Sequence, residues 1–494
     1  MLELTVFLCG AVVMILELTG ARIMAPYLGT SLVVWTGLIG VVLAALSIGC
    51  WWGGRLADRG PSRSGLAWIV FGSGVLIALT AVIQAPLLRM IQAHVPGLHL
   101  GVLLATVSLF GPAGILLGMI APYAVKMKLS SLEHSGAVVG RMYALSTIGS
   151  IVGTFLAGFV LLSFFGSLPI LLVLGAILAL LAMALSPGAG MVVKGAFLAL
   201  LMAGGFLHAQ YRQALAGQGY IDLDTAYNRI IVAEAEEEAT GRRLRIMSTG
   251  PGWLQSAMYL DDTLELALPY TRFFRLPELY VPGYRRVLMI GGGGYSFPKY
   301  LMLTRGDLEL DVVEIDPVFT ELARNHFDFD PAAGTPEQRI NIHHQDARRF
   351  LNQTHAPYDV IILDAFSSHY SVPFQLTTRE AMERISVNLA DSGVVVVNLI
   401  SSVSGPEGRM LRALLATMDA VFTQVETFLV ADPADPALVQ NIVLVAGNSR
   451  LPDVDSGHGP SELVAKLDHR WSHPIPRDIP VLTDALAPVE RYLP

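Results

Sequence analysis

Charge is scarce in this 494-residue chain: Asp, Glu, Lys and Arg together make up 15%, against 53% hydrophobic residues. Soluble globular domains carry about 25% charged residues. An ordinary soluble fold is therefore excluded for at least part of the chain, and membrane segments are expected. Most of the few charges lie after about residue 210, so the chain has an apolar first part and a polar second part. Basic runs are lacking and the net charge is −8, which argues against a nucleic-acid partner. Cysteine is almost missing too. Cys9 and Cys50 both sit in apolar runs and read as small buried side chains rather than a disulfide or metal pair.

What the first part has instead is length without charge. A helix needs about 20 apolar residues to cross the bilayer core, where backbone polar groups find no water. Runs near 4–25, 31–53, 66–87, 99–125, 140–164 and 167–186 meet that need, and a weaker run at 192–209 is a seventh candidate. The first run is too long, and too polar at its end ("ELTGARIMAPYLG"), for a cleaved signal peptide. Arg55, Arg59 and Arg63 in the loop "GGRLADRGPSRSG", and Lys126 and Lys128 after the fourth run, put those loops and the N-terminus in the cytoplasm. "GGRLADRG" also resembles the cytoplasmic loop between the second and third helices of major facilitator transporters. Six spans would leave the polar part in the cytoplasm, and a seventh would place it outside.

Two ionisable groups interrupt the first run. Glu17 and Arg22 should face protein or water. Being five residues apart, they do not stack on one helical face. They suit either a polar substrate or coupling site between helices, or groups near the membrane interface held by loop backbone. The glycines of "GSIVGTFLAG" (149–158) read as close helix packing.

The chain reads as three regions: helical membrane segments over 1–210, a small β-sheet subdomain over 220–280, and a nucleoside-binding domain over 281–494. "NRIIVAEAE", "RRLRIMSTG" and "PGWLQSAMYL" alternate like antiparallel strands. "EAEEEA" (234–239) is a solvated hairpin. From "RVLMI" (286–290) onward, strands and helices alternate through "LELDVVEID" (308–316), "RINIHHQD" (339–346), "YDVIILD" (358–364) and "GVVVVNLI" (393–400), with later strands near 423–430 and 440–447. That alternation predicts a doubly wound, Rossmann-like α/β domain with a mainly parallel sheet.

In such a sheet the ligand sits beyond the carboxyl ends of the strands. Those ends carry Gly291, Gly292, Gly293 and Gly294, then Glu314 and Asp316, then Asp346, then Asp364. Glycine lets backbone turn sharply and approach a ligand, and an acid about 20 residues on can accept from two ribose hydroxyls. A dinucleotide fold wants G-x-G-x-x-G. The run here is G-G-G-G-Y-S, so an adenosine ligand without pyrophosphate fits better, such as S-adenosylmethionine or its decarboxylated form. His343 and His344 lie on a strand without acid or cysteine partners at metal spacing, and no metal is expected.

"VLMIGGGG", "DVVEIDP", "HHQDARRFL" and "YDVIILDAFSSHYSVPFQLTTREAMERISVNLADSGVVVVNL" resemble, in order and spacing, the spermidine synthase family of polyamine aminopropyltransferases. "AYNRIIV" and "GWLQSA" look like that family's N-terminal sheet, and "LTDALAPVERYL" like its tail. The multi-span first part resembles the family's membrane-bound bacterial branch, which implies a multi-pass protein of the bacterial cell membrane, in contact with lipid. The resemblance implies a methyltransferase-type fold in which Gly291, Gly292 and Gly293 line the nucleoside, Glu314 binds the ribose and Asp346 with Ala347 contacts adenine. Gln255 would reach the chain on sulfur. Asp364 would meet the acceptor amine, for instance putrescine. The donor would be decarboxylated S-adenosylmethionine, made in the cytoplasm, which favours a cytoplasmic catalytic domain. The family also suggests homodimers.

Two positions depart from the family. The soluble synthases carry acids in G-G-G-D-G-G and D-S-S-D, where this chain has Gly294 and Ser367. His369, Tyr370 and Glu380 follow, either as partial substitutes or as loop residues and a helix N-terminal charge. Asp484, Pro488 and Glu490 either pack near the site or anchor the tail. Methyl transfer from S-adenosylmethionine, and a transporter or sensor with a non-catalytic nucleoside domain, stand as alternatives to aminopropyl transfer.

Overall fold

The computed structural model describes residues 1–129, 135–188, 190–250, 254–334, 338–365, 372–454 and 460–493. It divides into two compact units, Met1–Ile230 and Ile231–Pro494.

The first unit is helical: α1 (Leu2–Leu28), α2 (Leu32–Asp58), α3 (Arg63–His94), α4 (Leu98–Lys128), α5 (Ser135–Leu156), α6 (Leu162–Phe164), α7 (Ser167–Leu185) and α8 (Met191–Ala216). A π turn over Ala157–Leu161 joins α5 to α6, so the two act as one long helix. Among the described residues, seven helices are long and apolar enough to cross a membrane, the weak run at 192–209 included. Ser31 and Ser62 start α2 and α3 by accepting from Val34 N (3.3 Å) and Gly65 N (3.0 Å), satisfying amides that the first helical turn leaves unpaired.

Small residues bring these helices together. A Cβ on Gly149 would lie 2.0 Å from the Phe7 carbonyl oxygen, and one on Gly153 2.4 Å from that of Ala11, so α5 packs on α1 backbone to backbone. Gly158, in the π turn, has open space around it and takes no part. The Arg22 guanidinium donates to the carbonyls of Leu162 and Thr225, which is anchoring by loop and helix-end backbone. Glu3 accepts from Lys128 and Arg141, and Asp58 pairs with Lys126 at 2.8 Å. These pairs gather the N-terminus of α1 and the C-termini of α2 and α4 at one end of the bundle.

After β1 (Ile221–Asp224), β2 (Arg229–Glu236), β3 (Arg243–Ser248) and β4 (Leu254–Tyr259) form the small antiparallel sheet. Glu234, at the hairpin between β2 and β3, accepts from Arg243 and Arg245. A 3-10 turn (Pro269–Arg275) and α9 (Pro277–Tyr280) lead into the main domain. There follow β5 (Arg286–Ile290), α10 (Ser296–Thr304), β6 (Glu309–Val313), α11 (Pro317–His326), β7 (Arg339–His343), α12 (Ala347–Leu351), β8 (Tyr358–Leu363), α13 (Arg379–Asn388), β9 (Leu389–Ser401), α14 (Arg409–Asp419), β10 (Gln424–Leu429), β11 (Gln440–Gly447) and α15 (Ser461–Val464).

The seven-stranded sheet has the order β10-β11-β9-β8-β5-β6-β7. Strands β5 to β9 run parallel, while β11 is antiparallel to β9 and β10. The fold is thus Rossmann-like, with a mixed sheet ended by a reversed hairpin. Along β5, Val287 and Met289 enter one hydrophobic cluster and Leu288 and Ile290 the other. Both faces are covered, which is why these strands read as continuous apolar runs. The chain winds outward from β5 through β6 to β7, then returns to the other side of β5 as β8. The crevice where this order reverses opens beyond Ile290 and Leu363, and it is there that open α/β sheets bind ligands.

Candidate functional site

The glycine turn leaves β5 at once. Gly291 has φ +93° and Gly293 φ +50°, conformations that side chains resist. Gly291 N donates to the Val313 carbonyl at 2.9 Å, and Asp364 N to that of Ile290 at 2.8 Å, so the turn and Asp364 lie side by side over the switch point. Tyr295 ends the turn with φ +55°, a cost of roughly 1 kcal/mol or more for a residue with a side chain. Its surroundings offset that cost: the ring is fully buried and stacked on Phe329 with centroids 4.5 Å apart, and its hydroxyl pairs with Thr320 Oγ1 at 2.7 Å.

Glu314 follows β6 directly and is only 7% exposed. Its Oε2 accepts from Gly292 N (2.9 Å) and Gly293 N (3.4 Å), and its Oε1 from Asp316 N (3.0 Å). Burial pushes its pKa up, and these backbone bonds oppose the shift. An ionised carboxylate has about four acceptor sites. Three are committed to backbone, so Glu314 shapes the turn as well as facing the crevice.

Asp316 and Asp346 close the carboxyl ends of β6 and β7 as helix caps. Asp316 accepts from Val318 N at 3.1 Å to start α11, and Asp346 from Arg349 N at 2.9 Å to start α12, whose first residue is Ala347. From the small sheet, Gln255 on β4 donates to Thr249 Oγ1 at 3.2 Å. Its neighbour Ser256 accepts from Gly294 N at 2.7 Å, which brings β4 against the turn. The candidate residues Gly291, Gly292, Gly293, Glu314 and Asp364 therefore gather at the switch point, with Gln255 beside the turn and Asp346 and Ala347 farther along the same edge.

Asp364 is half-buried and held on both oxygens. Asn398 Nδ2 donates to Oδ1 at 2.9 Å and the Tyr270 hydroxyl to Oδ2 at 3.3 Å. Asn441 Nδ2 in turn donates to Asn398 Oδ1 at 3.0 Å. Burial raises the Asp364 pKa to about 6, although the bonds from Asn398 and Tyr270 pull it down. Tyr270 is pushed well above the ordinary tyrosine range by burial and by the neighbouring carboxylate, so it stays a protonated donor. Sequence reasoning missed Tyr270, Asn398, Asn441 and Ser256. Only Asn398 carried a signal, as the one polar residue inside "GVVVVNLI". Tyr270 lies 94 residues from its partner, with nothing in between to announce the pairing.

The remaining candidates have structural partners. Glu380 accepts from Asp484 N at 2.9 Å, while Asp484 accepts from Thr378 Oγ1 and Arg348, so this set anchors the tail to the first turn of α13. His343 pairs with Asp311 at 3.1 Å and His344 with Thr320 at 3.0 Å. Ser367, His369 and Tyr370 lie outside the described residues.

A Rossmann-like domain with a glycine turn, a buried acid after β6 and a held carboxylate after β8 places these groups where open α/β sheets bind their ligands. Residues 272–455 match the Spermine/spermidine synthase domain, and the polar part of the chain carries a domain of that kind. The polyamine aminopropyltransferase of Vibrio vulnificus (strain CMCP6) is 35% identical over 153 residues, 30% of this chain and 49% of that protein. The one from Lachnospira eligens (strain ATCC 27750) is 33% identical over 121 residues, 24% of this chain and 42% of that protein. Each match thus spans less than half of the relative's length. Among solved structures, a probable spermidine synthase from Corynebacterium glutamicum ATCC 13032 aligns with 24% identity and a TM-score of 0.40, covering 49% of this chain and 83% of that one.

Proposed function

We propose that the protein is a membrane-anchored aminopropyltransferase of the bacterial cell membrane, taking decarboxylated S-adenosylmethionine as donor and a small amine as acceptor. The observation that carries the reading is the pairing of the glycine turn with a held, half-buried Asp364 at the switch point of a spermine/spermidine synthase domain. In the transfer, the acceptor nitrogen attacks the carbon attached to the sulfonium. A C–N bond forms as the C–S bond breaks, and sulfur keeps the electron pair and leaves as a neutral thioether. Such a leaving group needs no acid. The difficulty is the nucleophile, which must arrive unprotonated and aligned.

Asp364 meets that need as the candidate base. A pKa near 6 keeps it ionised at neutral pH yet makes it a better proton acceptor than an ordinary carboxylate. Tyr270 and Asn398 hold its two oxygens, leaving lone pairs for the amine. Gly291, Gly292 and Gly293 would line the nucleoside, Glu314 the ribose, Asp346 and Ala347 the adenine, and Gln255 the chain on sulfur. No metal enters this chemistry. The enzyme is read as a homodimer, as the resemblance suggests.

The donor's cytoplasmic origin favours a cytoplasmic second unit. That placement needs an even number of crossings from a cytoplasmic N-terminus, and α8, the least apolar and least buried of the seven long helices, is the one that would not cross. Calorimetry on detergent-purified full-length protein tests the activity. Preference for the decarboxylated donor over S-adenosylmethionine supports aminopropyl transfer. Preference for the carboxylated form moves the reading to methyl transfer, and binding of neither leaves the helical unit as the seat of function.

A further inference from the structure

The outer face of α2 carries aromatic rings and charge in two tiers. Ile48, Trp51, Trp52, Arg55 and Arg59 recur at helical spacing and are all exposed. Trp51 and Trp52, 56% and 49% exposed, lie about 10 Å short of Asp58, where the helix ends. Arg55 joins the tiers, with its guanidinium over the Trp51 ring at 3.8 Å from the centroid. A guanidinium stacked in this way keeps the N–H groups at its edge free, and they can hold an oxyanion bidentately. Arg59 follows one helical turn on, about 6 Å along the axis, and Arg63 opens α3 after a short turn.

The turn is pinned to α4. Ser62 N donates to the Tyr123 hydroxyl at 3.0 Å, and Asp58 pairs with Lys126 at 2.8 Å. Arg55, Arg59 and Arg63 stay exposed, and among the described residues none of the three pairs with an acid. Glu3, the other acid described at this end of the bundle, holds Lys128 and Arg141. Glu133 lies outside the described residues, and one carboxylate does not neutralise three guanidiniums. The surplus of positive charge therefore belongs to the α2–α3 turn, directly above an exposed aromatic tier.

A ligand that fits this face is anionic at one end and apolar at the other. We propose that the outer face of α2 and the α2–α3 turn bind the head group of an anionic phospholipid, with its phosphate among Arg55, Arg59 and Arg63 and its glycerol and upper acyl chain along Trp51 and Trp52. Tryptophan favours the boundary between head groups and hydrocarbon, and basic side chains beside it are drawn to anionic lipid. The bound lipid fixes the depth of this end of the helical unit in the leaflet. The inference rests on the membrane-anchored part of the proposed function and not on the transfer chemistry.

The test is native mass spectrometry of the full-length protein in a neutral detergent, with phosphatidylglycerol and phosphatidylcholine of the same acyl chains added in turn. The expected result is an apparent affinity for phosphatidylglycerol about tenfold or more above that for phosphatidylcholine, within reach of three charge-assisted contacts. Replacing all three arginines, Arg55→Gln, Arg59→Gln and Arg63→Gln, should bring the two lipids within about twofold of each other. Trp51→Leu, which leaves Arg55 without its ring, should cut the preference part of the way. Arg89→Gln removes an exposed arginine near the other end of α3 and should leave the preference unchanged, which separates a site from net charge. Equal affinities in the wild type, or a preference that survives the triple substitution, overturns the proposal. So does glycerol phosphate without acyl chains binding as tightly as the lipid, because the aromatic tier would then contribute nothing. Failure to enter vesicles of either lipid removes the anchoring and the site together and leaves the transfer chemistry standing.

Discussion

Gly291 and Asp364 are built against each other: a Cβ on Gly291 would lie 2.2 Å from the Asp364 carbonyl oxygen. The glycine turn and the strand end that carries the candidate base are thus one packing unit. Gly291→Ala must displace the backbone of Asp364, and it also meets a φ of +93°. The cost should be about 2 kcal/mol or more, from strain and overpacking together. Thermal melts of the full-length protein should fall, and donor affinity should drop in whatever remains folded. An unchanged melt with full donor affinity would mean that the two segments are not coupled.

Asp364→Asn separates stability from activity. The folded carboxyl titrates near 6, above its unfolded value of about 3.9. Between these values the folded state binds more protons than the unfolded state, so stability falls as pH rises through that window and stays lower above it. Removing the charge should therefore stabilise the protein at pH 8 by on the order of 1 kcal/mol, while lowering the transfer rate about a hundredfold or more. In the wild type at saturating donor, log kcat should rise with pH up to about 6 and flatten as far as Asp364 governs it. A variant that loses stability at pH 8 while keeping its rate would remove Asp364 from the chemistry.

Glu314→Gln tests the other half of the crevice. All three bonds to this carboxylate come from backbone N–H groups, and ribose hydroxyls would be further donors. An amide presents its own N–H groups at half of those contacts, so one or more buried amides would lose a partner, at about 1–3 kcal/mol each. Donor Kd should rise tenfold or more with no change in the acceptor KM. An acceptor effect without a donor effect would place Glu314 on the wrong side of the site.

The sheet was the most legible part of the sequence. "RVLMI" (286–290) coincides with β5, because buried parallel strands leave uninterrupted apolar runs between glycine and acid punctuation. β9 begins at Leu389, four residues before the glycine of "GVVVVNLI", since Asp391, Ser392 and Gly393 continue the strand despite their low strand propensity. The strand-end acids could be located but not their bonds: Asp316 and Asp346 cap helices, and Glu314 holds the turn. Tyr270 and Asn441 reach the site through contacts distant in sequence, which no local pattern encodes.

Restoring an acid to the glycine turn takes two changes. Gly294→Asp alone collides with Ser256 and should fold poorly. Paired with Ser256→Gly, which opens the space and removes the acceptor for Gly294 N, it should recover much of the lost thermal stability. Equal damage from Gly294→Asp with and without Ser256→Gly would show that Ser256 is not what excludes a side chain there.

The placement of the second unit rests on α8. Lys194, near its start, is buried, with Nζ donating to the Ala182 carbonyl at 3.1 Å and lying over the Trp68 ring, which ties that end of the helix to α7 and α3. Beyond this point α8 packs little against its own unit, and His208, Gln210, Arg212 and Gln213 make its last turns polar. A helix fixed at its start and polar toward its end can lie along the interface rather than cross it. Reporters fused after Gln218 should then give an active fluorescent protein and a silent alkaline phosphatase. Phosphatase activity at Gln218 would mean that α8 crosses and the second unit faces outward, where a donor made in the cytoplasm would not meet it without transport.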